Sequence, residues 1–109
     1  MLKRKYRLGK DINFYKSLSF ASPLFTLKIK GGKQKLNRFG IIVSKRIDKR
    51  AVKRNRIKRI LWTCLFEMQD KLLPGHDILF IIKKEAAQKS KAEMQKETKE
   101  IFKKAKLLL

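Results

Sequence analysis

The stretch VSKRIDKRAVKRNRIKRILWTCLFEM, from Val43 to Met68, limits what this chain can fold into more than any other. Between Lys45 and Arg59 stand nine basic residues, Lys45, Arg46, Lys49, Arg50, Lys53, Arg54, Arg56, Lys58 and Arg59, against the single acid Asp48. A run of like charge this dense is ordinarily solvated and unfolded. Here, however, apolar residues recur through and beyond it at Ile57, Ile60, Leu61, Cys64, Leu65, Met68 and Leu72. Steps of three and four residues are those of one helix face, so the spacing predicts a helix from about Ala51 to Lys71 with its charge held on a folded scaffold. The stripe covers roughly a third of the circumference, enough to dock on a core. Asn55, Arg59 and Trp62 fall opposite it, with Arg56 and Lys58 flanking. Lys53 and Arg54 lie nearer the core side but in the first turn, where long side chains reach past the packed layer. Unpaired N–H groups and the dipole make a helix N-terminus favour anions, so cations gathered there are unfavourable unless a polyanion is the partner.

The chain as a whole repeats the argument. Its 109 residues suit one domain, spanning 1–109, and 43% hydrophobic content supplies a core, but the formal net charge is +21. Self-repulsion of that size is resolved by a standing polyanion, nucleic acid or an anionic membrane. No run of 18 apolar residues occurs, and no basic amphipathic helix carries an aromatic face, which favours nucleic acid over membrane. The N-terminal MLKRKYRLGK has no apolar signal-peptide core, so a cytoplasmic protein is expected. The lone cysteine, Cys64, sits on the apolar stripe and reads as a buried structural thiol; a zinc site lacks ligands when the only histidine is His76.

Taken in order, residues 1–10 form a basic arm, expected to be mobile until it meets a phosphate backbone. Asp11 offers an N-cap for a short helix from Ile12 to about Ser19. Its Phe14 and Tyr15 suit either core packing or stacking on a base. From Leu24 to Lys30 the sequence alternates as a half-buried strand does, with Phe25, Leu27 and Ile29 on one face and Thr26, Lys28 and Lys30 on the other. Gly31-Gly32 suggests a hairpin turn into a second strand, about Leu36 to Ser44, pairing back through Phe39, Ile41 and Val43. The basic helix ends at Leu73-Pro74-Gly75. Asp77 to Lys83 contains five consecutive apolar residues and reads as a strand buried on both faces, reached by a parallel crossover. Ser90-Lys91-Ala92-Glu93 is a capping-box pattern opening a last helix of about 17 residues with Met94, Thr98, Ile101, Phe102, Ala105 and Leu108 on its apolar side. The order α-β-β-α-β-α describes an α+β fold, a two-layer sandwich with a small mixed sheet covered mainly by helices.

Catalytic chemistry is not visible. Asp11, Asp48, Asp70 and Asp77 lie far apart at element ends, and His76 has no nucleophile or carboxylate dyad beside it. There is no P-loop or dinucleotide fingerprint, and no small-molecule substrate is expected. The residues alone leave a binding surface, equally compatible with a ribosome-associated or general RNA-binding protein.

One family carries the same features. Lys53-Arg54-Asn55-Arg56-Ile57-Lys58-Arg59, preceded by Val43-Ser44-Lys45-Arg46 and followed by the strand Asp77-Ile78-Leu79-Phe80-Ile81-Ile82, resembles the protein subunit of bacterial ribonuclease P, over nearly the whole chain. The resemblance implies a ribonucleoprotein endonuclease whose RNA releases the 5′ leader of precursor tRNA through Mg²⁺-activated water, that Mg²⁺ being held mainly by RNA. It also implies a left-handed βαβ crossover like that of a ribosomal protein domain, where pattern alone gives right-handed in about 98% of cases. By the same resemblance the RNA subunit is bound by Arg54, Asn55, Arg56, Lys58 and Arg59, with phosphate contacts from Lys45, Arg46, Lys49, Arg50 and Lys53. A cleft between the first helix and the sheet takes the leader, lined by Phe14 and Ser44. Two positions depart from the family pattern: Leu18 stands where a second aromatic is common on the first helix, and Lys28 where a strand aromatic is common. Leader binding at this site is therefore expected to lean on phosphate pairing more than on stacking.

Overall fold

A computed structural model describes residues 17–31 and 35–108. The elements run β1 (Leu18–Ala21), β2 (Phe25–Gly31), β3 (Arg38–Ile42), α1 (Ala51–Met68), β4 (His76–Ile82) and α2 (Lys91–Lys104), with single 3₁₀ turns at Gln69–Lys71 and Lys84–Ala86. The strands form one mixed sheet in the order β1-β2-β4-β3. β1 and β4 run antiparallel to β2, and β3 runs parallel to β4, so α1 is the crossover between two adjacent parallel strands.

Three sequence expectations change. The short helix was expected to continue through Ser19, but Leu18 and Ser19 belong to β1, paired with Ile29 and Lys28 of β2. Its remainder, with Phe14, Tyr15 and the basic arm, lies outside the described residues. The expected hairpin between β2 and β3 is absent, because β4 sits between them. β4 is interior to the sheet as its apolar DILFII run suggests, but it is not buried on both faces as expected: Ile78, Phe80 and Ile82 are buried, whereas Leu79 and Ile81 stay partly exposed on the side that no helix covers.

Register sorts the sheet into two faces, since directly paired residues project to the same side. One face carries the rows Leu18–Ile29–Ile78–Phe39 and Phe20–Leu27–Phe80–Ile41. Both helices pack here. Ile57, Leu61, Cys64, Leu65 and Met68 of α1 and Met94, Thr98, Ile101 and Phe102 of α2 are buried, and Phe80 meets Phe25 and Phe102 edge-to-face at 5.5 and 5.7 Å. The docking stripe of α1 is thus the one its spacing predicts, with Ile60 at its margin. Trp62 differs from expectation: rather than standing clear on the outer face, it packs partly buried against the core edge.

Local chemistry sets the element ends. Ser90 and Glu93 form the complete capping box, side chain to backbone in both directions, which starts α2 where its pattern says. α2 stops at Lys104 because Lys106 takes a left-handed φ of 59°, letting Leu107 N–H bond the Phe102 carbonyl and Lys106 N–H the Lys103 carbonyl, both at 3.0 Å. Leu107 is thereby buried, and its carbonyl accepts Leu73 N–H at 2.7 Å, tying the tail to the end of the crossover. Asn37, only 7% exposed, donates to the Leu73 carbonyl at 2.9 Å and accepts from His76 N–H at 2.8 Å, so one amide holds the start of β3 against the turn into β4.

Candidate nucleic-acid interface

The approach to α1 is built by charge rather than by a usual cap. Arg50 occupies the N-cap without a side-chain cap bond, and the first turn holds no acid. Instead Asp48 accepts Arg50 N–H at 2.9 Å and takes its guanidinium at 3.1 and 3.0 Å. Those Arg50 contacts, side chain first and backbone second, hold the Asp48 carboxyl below its ordinary range. Arg54 turns back to donate Nη1 to the carbonyls of Asp48 at 2.9 Å and Lys49 at 2.8 Å. Ser44 is exposed, and its carbonyl accepts Ile47 N–H at 3.0 Å, which closes the turn carrying Lys45 and Arg46.

Arg50 and Arg54 are therefore engaged within the chain. Lys45, Arg46, Lys49, Lys53, Arg56, Lys58 and Arg59 make no side-chain hydrogen bond or ion pair among the described residues. All but the half-buried Lys58 are exposed, as is Asn55. Asn55, Arg56 and Arg59 share the outer face of α1 with Val52 and Phe66, apolar side chains that are 76% and 48% exposed. The result is a strip of unpaired cations leading along the approach turn and up the first half of the helix. Its chemistry is phosphate pairing, with planar guanidinium forks for bidentate contacts.

The second face of the sheet offers a different surface. Its rows are Ser19–Lys28–Leu79–Gly40, Ala21–Thr26–Ile81–Ile42 and Lys30–Asp77–Arg38. Lys28, Leu79, Gly40 and Ile81 are partly exposed, and Lys28 stands near the centre without an ion-pair partner among the described residues. At one end Arg38 grips the nearly buried Asp77 carboxylate with two bonds of 2.8 and 3.0 Å. Leu18 is 65% exposed but belongs to the helix-bearing side by register, on the outermost strand, so it does not share the Lys28 surface. Ser44 follows the end of β3. Phe14 lies outside the described residues. Sequence reading passed over Arg38, and also Lys84 and Gln88, which face the start of α1 across a cavity. The Lys83-Lys84 doublet directly after a strand was the available signal.

An α+β scaffold with an exposed cationic helix face and a part-open sheet has the makings of a nucleic-acid-binding protein. A family model for ribonuclease P matches residues 2–106. The ribonuclease P protein component of Geobacillus thermodenitrificans is 32% identical over 109 residues, spanning 95% of this chain and 89% of that one. The same component of Clostridium kluyveri is 36% identical over 106 residues, spanning 92% and 94%. The structure of Staphylococcus aureus RNase P protein matches with a TM-score of 0.86 at 28% identity, covering 95% of this chain and 98% of that one. The chain belongs to the ribonuclease P protein family, and its function is that of a ribonuclease P subunit in the maturation of tRNA 5′ ends.

Proposed function

We propose that the chain binds the ribonuclease P RNA through the approach turn and outer face of α1, and the 5′ leader of precursor tRNA through the second sheet face around Lys28. The RNA subunit performs the cleavage in this reading. The observation that carries it is the strip of seven cations whose side chains have no partner among the described residues, which a folded protein tolerates when phosphates neutralise it. Lys45, Arg46, Lys49 and Lys53 pair with phosphates below the helix. Asn55, Arg56, Lys58 and Arg59 meet the RNA along it. Arg50 and Arg54 chiefly shape the turn, presenting whatever guanidinium nitrogens the internal bonds leave. Lys28 and Ser44 serve the leader, with Phe14 assigned there by resemblance; Leu18, expected there too, projects to the helix-bearing side and is not part of this surface.

Mg²⁺ belongs to the RNA in this scheme. Among the described residues no three His, Cys, Asp or Glu side chains stand together to hold a metal, and Asp48 and Asp77 are each occupied by an arginine. These residues do not fit a protein-held ion. No helix among the described residues is long and apolar enough to cross a membrane; the reading places the protein in the cytoplasm with precursor tRNA.

The test is reconstitution of the full chain with a ribonuclease P RNA and precursor tRNA at low Mg²⁺. Cleavage at the leader junction should rise on adding protein, and RNA-free protein should cleave nothing. An unchanged rate, or site-specific cleavage by the protein alone, would overturn the proposal.

A further inference from the structure

We propose that the cavity between the start of α1 and the turn after β4 is a subsite for one backbone phosphate of the ribonuclease P RNA, with Lys84 and Gln88 forming its second wall. This rests on the reading of α1 as the RNA-facing helix and adds to it a contact off that helix. The cavity has a volume of about 540 Å³. Lys53 and Arg56 line it from α1, and Lys84, Glu85 and Gln88 line it from the other side.

The two walls are held independently. α1 is fixed by its buried stripe. The opposite turn is pinned through Ala86, which is fully buried, and through Lys83, whose N–H bonds the Leu24 carbonyl at 2.9 Å and whose ammonium bonds the Ser22 carbonyl at 2.7 Å. Lys83 is thus a structural cation, and its neighbour Lys84 is the one left for the cavity. The side chains of Lys53, Arg56 and Lys84 make no hydrogen bond or ion pair among the described residues. Asp48 and Arg50 also border the space, but they neutralise each other through paired bonds.

Three unpaired cations converging on one open space repel in the free protein, and an anion entering between them removes that repulsion. A phosphate diester suits the donor set: Arg56 supplies a planar fork, the two lysines supply point charges, and the Gln88 amide supplies a neutral donor. Glu85 opposes the arrangement. Glu85 lines the same wall and makes no ion pair among the described residues, so removal of its charge should strengthen anion binding, a sign that a purely structural role for these residues does not predict.

The experiment measures affinity of the full chain for ribonuclease P RNA across a salt series. Lys84→Ala should weaken binding roughly tenfold, the low end for one charge-assisted hydrogen bond, and flatten the log-log salt slope by up to about 0.7–0.9. Combining it with Arg56→Ala should cost less than the product of the single effects, because the two share one phosphate. Glu85→Gln should tighten binding, and thermal midpoints at salt high enough to screen the repulsion should stay unchanged for these exposed positions. Arg59→Ala, outside the cavity, separates the two ideas. If it weakens binding while Lys84→Ala and Glu85→Gln change neither affinity nor slope, the helix reading stands and the subsite is refuted. If Arg59→Ala is also silent, the helix reading fails and the subsite with it.

Discussion

Arg54 turns its guanidinium back along the chain and donates to the carbonyl of Asp48, 2.9 Å away. The same nitrogen reaches the Lys49 carbonyl at 2.8 Å. Within the most basic segment of the protein, this arginine orders the backbone that feeds the helix by donating to its carbonyls, whereas a Ser or Asp N-cap would accept from the first N–H groups of the helix.

Arg54 and Arg59 should therefore fail differently when truncated. Arg54→Ala removes one part-buried and one exposed bond to backbone carbonyls and is expected to cost about 1 kcal/mol of stability, several degrees in thermal midpoint for a domain of this size. The Arg59 side chain has no partner among the described residues, and its loss from a chain of net charge +21 relieves repulsion. Arg59→Ala should leave the midpoint unchanged, or slightly raised at low salt, while weakening RNA binding. Circular-dichroism melts of both variants in low salt decide it; equal drops would refute the division of roles.

Much of this division was illegible in the sequence, where Arg54 and Arg59 are two cations of one motif. Side-chain direction separates them, and it depends on a turn whose shape no periodicity encodes. By contrast, α1 and α2 were legible because a period of three and four residues and a capping box are local signals: Ile57, Leu61, Cys64, Leu65 and Met68 are buried as their spacing requires. β1 was missed because four residues, LSFA, are too short to show alternation, and only pairing with β2 makes them a strand. The β2–β3 hairpin was wrongly expected for a related reason. Gly31-Gly32 is a local turn signal, whereas the insertion of β4 between the two strands is a long-range fact. The apolar content of Ile78 through Ile82 marked β4 as an interior strand, but not which neighbours it would separate.

The C-terminus of α2 offers a stabilising change. Lys106 adopts φ 59° with a β-carbon in place, a conformation that glycine takes freely. Its two terminal bonds use only backbone groups, so Lys106→Gly keeps them. The substitution should add about 1 kcal/mol by removing left-handed strain, and the loss of one cation acts in the same direction. Denaturant midpoints of the two proteins at equal salt test this; a fall in stability would show that the lysine side chain contributes more than its backbone costs.

Cys64 should be chemically silent. Its side chain is fully buried. Burial first, and the nearby Glu67 charge second, push its thiol from an ordinary 9.0 up to about 11. Because the folded state favours the neutral thiol, the associated stability is fully present below pH 9.0 and is lost as pH rises through about 11. At pH 8 a thiol reagent should react only as fast as the chain unfolds, and within seconds once denaturant is added. Rapid labelling of the native protein at pH 8 would contradict the buried assignment.

Lys28 tests the second surface. It occupies the middle row of the open sheet face, beside Ser19 and opposite Leu79, at the position where the resemblance implies an aromatic in other members. A cation there attracts a phosphate, whereas an aromatic would stack a base, and the two contacts respond to different variables. Lys28→Ala should weaken binding of precursor tRNA by the assembled enzyme only when the leader reaches the protein, with a smaller effect as salt rises. Lys28→Phe should restore part of the affinity in a form that salt hardly changes, on the order of 1–3 kcal/mol if a base stacks on the ring. The partly exposed setting of Lys28 leaves room for either side chain without disturbing the core face. Affinities measured for precursors of graded leader length, at two salt concentrations, distinguish the cases. Equal loss for leaderless and long-leader substrates would remove Lys28 from the leader surface and assign its charge to the RNA subunit instead.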